Sequence, residues 1–179
     1  MDFKELTESE YAEFLKKWPA PNFWQSVDMM HLREKRGWYT NYVGIVHQNK
    51  IIAAAAISFR KVFKNFSIAQ AVRGFYIDYH DYSLMTFFHK ELIKFLNKKG
   101  AIVFRTDPYV CYKERDIDGN FVEDGFDNSD VVDIFKKLHY HHDGFLRGMD
   151  NSREPNWMFV LDLEGKNEDQ LLKEFDQQT

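Results

Sequence analysis

Asp107 stands just past an apolar segment, 101–105, and immediately before Pro108. A carboxylate at a strand end can orient an ammonium group, or accept its proton as the amine becomes a nucleophile. The same Asp-Pro pair also reads as a turn that stops the strand. Arg105, two residues upstream, either shares a face with Asp107 and pairs with it or turns to the other side. Lys35 closes a helical pattern just before Gly37-Trp38. There it is a point charge at a helix C-terminus, able to meet a diphosphate or simply to cap its own helix.

Three other groups imitate sites. Asp116, Asp118 and Asn120 begin like a calcium loop, but Phe121 occupies the position that needs Gly and Asp127 the one that needs Glu. An ordinary acidic loop is expected. His139, His141 and His142 lack a nearby thiolate, and their spacing is that of an alternating strand, so exposed strand histidines rather than a metal site are expected. Cys111 has no sequence-local base and reads as a packed loop thiol.

The elements that must carry these residues can be traced in order. A β-like start at 3–6 precedes Thr7 and Glu10, the spacing of a capping box, and Tyr11, Phe14 and Leu15 make a helical stripe. A second helix runs from about Ser26 to Arg36, stopped by Gly37. Strands at 38–47, 51–62 and 66–72 form a meander around tight turns. Ser83 is placed to cap a long helix with Leu84, Phe87, Phe88, Leu92, Phe95 and Leu96 on its buried side. The apolar strand at 101–105 reads as central in the sheet. A loop of some twenty residues without periodicity follows it. Val131, Val132, Ile134, Phe135 and Leu138 then mark another helix. Strands are expected at 140–145 and 157–163, and a last helix from Asn167. This β-α-α-β-β-β-α-β-α-β-β order is that of an α/β, acyl-CoA N-acyltransferase-like (GNAT-like) fold, a mixed twisted sheet flanked by helices.

Composition narrows the class. The 179 residues are 44% hydrophobic and 17% aromatic, enough apolar surface to build a core. The longest apolar run, Ile51 to Ile57, is far too short to span a bilayer. The acidic start carries no apolar signal segment, and a single cysteine suits a reducing cytoplasm. Net charge is −4, from 24 Lys+Arg and 28 Asp+Glu, unlike a dedicated nucleic-acid binder. Basic clusters occur locally at Arg33, Lys35 and Arg36, at Arg60, Lys61 and Lys64, and at Lys94, Lys98 and Lys99. They read as solvated faces with room for a phosphate-bearing ligand at a few points. An acetyl-CoA enzyme of this fold needs small residues after Arg73-Gly74 so that backbone amides can reach a pyrophosphate. Phe75, Tyr76 and Ile77 stand there instead, and no acetyl-CoA binding is expected.

RGFYIDY at 73–79, FRTDP at 104–108, KRGW at 35–38 and the P-x-x-x-x-x-LDL run from Pro155 together resemble the FemABX family, the peptidyltransferases that build peptidoglycan interpeptide bridges. The resemblance spans essentially the whole chain. It implies two tandem acyltransferase-like domains that move Gly, Ala or Ser from aminoacyl-tRNA to the stem-peptide amine of UDP-MurNAc-pentapeptide or lipid II. No further cofactor is implied. By the same resemblance, residues 1–165 are a first domain and 166–179 start a helix leading to a second. Lys35, Trp38, Arg73, Arg105 and Asp107 are then substrate-binding, with Asp107 also catalytic. Ile102 stands where some relatives carry a tyrosine, so contacts there must differ. A cytoplasmic location is implied, peripheral to the inner membrane face if lipid II is the acceptor, in which case Phe63, Lys61 and Lys64 would approach the lipid. The competing expectation is a non-catalytic interaction module on the same fold.

Overall fold

The chain opens on β1 (Asp2–Leu6), and Thr7 starts α1 (Glu8–Leu15) through the expected reciprocal cap. The Thr7 side chain accepts from the Glu10 amide at 3.2 Å, and the Glu10 carboxylate accepts from the Thr7 amide at 2.8 Å. A 3-10 turn (Phe23–Gln25) leads into α2 (Val27–Lys35), capped by Ser26 and released at Gly37, whose φ of 82° suits only a residue without Cβ. The computed structural model describes residues 1–145 and 163–174.

Strands β2 (Tyr39–His47), β3 (Lys50–Phe63) and β4 (Phe66–Ala71) form the predicted antiparallel meander. Gln48 and Asn49, both at positive φ, make the first tight turn. The long helix α3 (Tyr82–Lys98) follows, then β5 (Ala101–Thr106), parallel to β4, and α4 (Ser129–Lys137). The strand order is β1-β2-β3-β4-β5, a mixed five-stranded sheet within an α/β architecture.

The apolar run in β3 is buried on both faces because helices cover both. Val43, Ile45, Ala53, Ala55, Ile57, Phe59, Ala69 and Ala71 face a core with α3 and α4. Ala54, Ala56 and Tyr42 face a second core with Tyr11, Phe14 and Met30. Alternate side chains thus serve opposite layers. The alanines leave room for aromatic rings, such as Tyr11 stacked on Tyr42 at 4.6 Å.

Several expectations are corrected. β5 is an edge strand among the described residues, not a central one, and Ile102 on it is 59% exposed. The α3 cap is Asp81, whose carboxylate accepts from the Leu84 amide at 2.9 Å, because the helix begins a residue before Ser83. Residues 140–145 form no strand. His139 is exposed as expected but sits in a turn, at φ 64°, so it belongs to no strand ladder. Cys111 is exposed rather than packed.

One compact unit comprises Met1–His141. A second, His142–Thr179, carries α5 (Glu168–Glu174), where Asn167 and Gln170 cap each other at 2.9 Å. The expected strand at 157–163 lies, apart from Leu163, outside the described residues. No described helix is long and apolar enough to cross a membrane.

Candidate functional site

The ends of β4 and β5 are laced together. Ala71 and Thr106 are their last paired residues, and the Thr106 hydroxyl adds a bond to the Ala71 carbonyl at 3.0 Å. Beyond them the Arg73 amide donates to Asp107 Oδ1 at 2.9 Å, while Arg73 Nε lies 3.8 Å from Oδ2. Asp107 therefore pairs with Arg73, and Arg105 is exposed without a hydrogen bond or ion pair among the described residues. Asp107 sits past the last residue of the strand, where side-chain alternation no longer applies. Its side chain is about half exposed, open to a ligand, and the Arg73 guanidinium also lies 5.6 Å over the Tyr109 ring.

The turn after β4 is closed from below. Arg73 and Gly74 both have positive φ. A Cβ on Gly74 would stand 2.5 Å from the Tyr79 hydroxyl and 2.7 Å from Pro108 Cα, so only glycine fits. The Tyr79 hydroxyl accepts from the Phe75 amide at 2.7 Å and donates to the Phe75 carbonyl at 2.8 Å. Burial raises the Tyr79 pKa beyond the ordinary phenol range and keeps the group neutral. Both main-chain polar groups of Phe75 are thus bound by Tyr79.

A second group of residues lies at the α2–β2 junction. Lys35 is exposed at the last turn of α2 and makes no hydrogen bond or ion pair among the described residues. Trp38 lies under the Arg33 guanidinium, 4.3 Å from its ring centroid, with Arg60 at 5.9 Å. Arg33 donates from Nε to Ser58 at 3.0 Å and from Nη2 to Gln70 at 2.8 Å. Burial, and secondarily Arg36, lowers its pKa. Trp38 is therefore held rigidly beside a free lysine. Arg33 looked in the sequence like one more solvated cation, and only its partners on β3 and β4 reveal its role. By strand register the two groups are three strands apart, roughly 20 Å.

The acidic loop at 116–120 is held by its own hydrogen bonds. The Asp116 carboxylate is filled by its own loop, accepting from the Asp118 and Asn120 amides at 3.0 and 2.8 Å. No cluster able to hold a metal ion is found among the described residues.

A mixed sheet with a parallel β4–β5 pair and helices on its faces is the acyltransferase-like fold class expected from the element order. The FemAB family model matches residues 6–179, and the chain belongs to that family. It is 34% identical over 181 residues to the aminoacyltransferase FemB of Staphylococcus epidermidis, covering 99% of this chain and 42% of that protein. It is 32% identical over 177 residues to the aminoacyltransferase FemA of Staphylococcus aureus, covering 98% of this chain and 42% of that one. The chain thus spans about two-fifths of the length of these relatives. The crystal structure of FemX superposes with a TM-score of 0.68 at 21% identity, over 84% of this chain and 35% of that one, a likeness of fold.

Proposed function

We propose that this chain is the acceptor-binding first domain of a tRNA-dependent aminoacyltransferase that adds Gly, Ala or Ser to the stem-peptide lysine of a peptidoglycan precursor, either UDP-MurNAc-pentapeptide or lipid II. The observation that carries the reading is the family match over nearly the whole chain. In the reaction the lysine amine attacks the aminoacyl ester carbon, an amide forms, and the tRNA 3′-hydroxyl leaves. Asp107 orients the ammonium and takes its proton. Lys35 meets the precursor's diphosphate, with Trp38 beside it. Arg73 fixes Asp107, and Arg105 presents a second cation on the same edge. A separation of roughly 20 Å between the two groups suits an extended precursor held near both ends.

Aminoacyl-tRNA, rather than acetyl-CoA, is the donor in this reading. Support comes from the blocked Phe75 amide, the wall of Pro108 behind Gly74, and the carboxylate of Asp81 capping α3. Saturable acetyl-CoA binding in calorimetry would contradict it. A second domain of the same protein completes the active site, and the work is done at the cytoplasmic membrane face.

Transfer of a labelled amino acid from charged tRNA to the muropeptide, by the protein containing this chain, tests the assignment. Lys35→Ala should raise KM for the precursor, and Asp107→Asn should lower kcat. Unchanged transfer in both removes the two residues from the site.

A further inference from the structure

β3 runs 14 residues, but β2 begins only at Tyr39, opposite Phe59. From Arg60 onward β3 pairs with β4 alone, and the ribbon overhangs its neighbour. Phe63 pairs with Phe66 across a tight Lys64-Asn65 turn, with Lys64 at φ 46°. The tip is braced from behind. A Cβ on Gly100 would collide with the Asn65 carbonyl, and the Ser67 amide donates to the Gly100 carbonyl at 2.9 Å. The turn at Gly100, between α3 and β5, therefore backs the hairpin.

This braced tip is apolar. Val62, Phe63 and Phe66 are 51%, 63% and 48% exposed, an apolar cluster at the end of a ribbon. Residues 60–66 hold three cations and no acid in a chain of net charge −4. Arg60, Lys61 and Lys64 are all exposed and form no ion pair among the described residues. The Lys64 ammonium rests 5.1 Å over the Phe63 ring.

We propose that this hairpin tip seats on an anionic phospholipid surface, with Val62, Phe63 and Phe66 entering the headgroup boundary and Arg60, Lys61 and Lys64 meeting lipid phosphates. Leading apolar side chains with flanking cations on long stems match an interface that is wet above and oily below. RNA would attract the same cations but gains little from an exposed valine. Arg60 at the ribbon's base lies 5.9 Å from the Trp38 ring, so the Lys35 end of α2 stands beside the ribbon. The inference deepens the proposed function by favouring a lipid-linked acceptor, and it is tested without acceptor or donor, so either can fail alone.

Co-sedimentation of the chain with vesicles of phosphatidylcholine, alone or with phosphatidylglycerol added, reads the contact directly. Partition should be strong only with the anionic vesicles and should weaken with salt. Val62→Ser, Phe63→Ser and Phe66→Ser together should lower it about tenfold or more, and Lys61→Glu with Lys64→Glu likewise. Circular dichroism should stay unchanged in both variants, since every altered side chain is exposed. Absence of partition, equal partition onto neutral vesicles, or undiminished partition of either variant overturns the proposal. So does retained vesicle binding by the serine variant with loss of uncharged-tRNA binding by the glutamate variant, which assigns the tip to RNA.

Discussion

The Arg73 amide and the Asp107 carboxylate meet at 2.9 Å, so the residue proposed as base also fastens the end of β4 to the end of β5. The two duties separate by substitution. Asp107→Asn keeps a carbonyl oxygen for the Arg73 amide but has no charge and no basicity. The 3.8 Å contact with Arg73 Nε is long and half exposed, worth about 0–1 kcal/mol. Urea unfolding of the Asn variant should therefore stay within about 1 kcal/mol of the parent, while transfer falls about 100-fold or more. Asp107→Ala should cost about 1 kcal/mol beyond Asn. A stable Asn variant with full transfer would leave Asp107 as a clip alone.

Gln25 is the polar group deepest in the second core. Its Nε2 donates to the carbonyls of Ala56 at 3.2 Å and Val72 at 2.8 Å, and its Oε1 accepts from the Ala56 amide at 2.9 Å and the Tyr11 hydroxyl at 3.2 Å. It bridges the gap where β3 and β4 no longer pair. Gln25→Leu removes these partners from the Ala56 amide and the Ala56 and Val72 carbonyls, while the Tyr11 hydroxyl keeps the main-chain carbonyl of residue 25 at 2.9 Å, and should cost about 2–5 kcal/mol in urea unfolding. Gln25→Glu should cost more, because a carboxylate would face two carbonyl oxygens.

Neither Gln25 nor Arg33 could be picked out beforehand, and the reason is physical. The Thr7–Glu10 cap, the Gly37 stop and the meander's tight turns depend on residues a few positions apart, and the sequence displays them. The strand partners of Gln25 and Arg33 lie 25 to 47 positions away. The same distinction explains β5. A continuous apolar run says that a strand is apolar, not which neighbours cover it, so the run at 101–105 does not by itself separate an edge strand from a central one. The motif around 104–108 places Asp107 at a strand end, but nothing in it points to Arg73, 34 positions away, as its partner in place of Arg105.

Arg33 fixes Trp38 through a planar fork, one arm on Ser58 and the other on Gln70, with the ring stacked beneath. Lysine cannot reach both acceptors or stack in the same way. Arg33→Lys should cost about 1–3 kcal/mol of stability. A double-mutant cycle with Gln70→Met should show coupling of about 0.5–3 kcal/mol. Additive losses would mean that the fork does not act as a unit.

Glu10 makes the first helix sensitive to acid. Hydrogen bonds from Lys4, then from the Thr7 amide and hydroxyl, lower its pKa from 4.5 to about 2. A carboxyl whose folded pKa is depressed contributes stability that is fully present above its unfolded value and disappears as pH falls through the folded one. The cap's contribution should thus hold above pH 4.5 and fade down to about pH 2. Asp127, bonded first by Lys113 and then by Ser129, adds a parallel window from 3.8 to about 2. Both groups are exposed, so salt should shrink each effect. Unfolding measured across this range should show a slope that Glu10→Gln reduces and Asp127→Asn reduces independently. The two lie in separate elements with no shared partner, so a double variant should sum the losses.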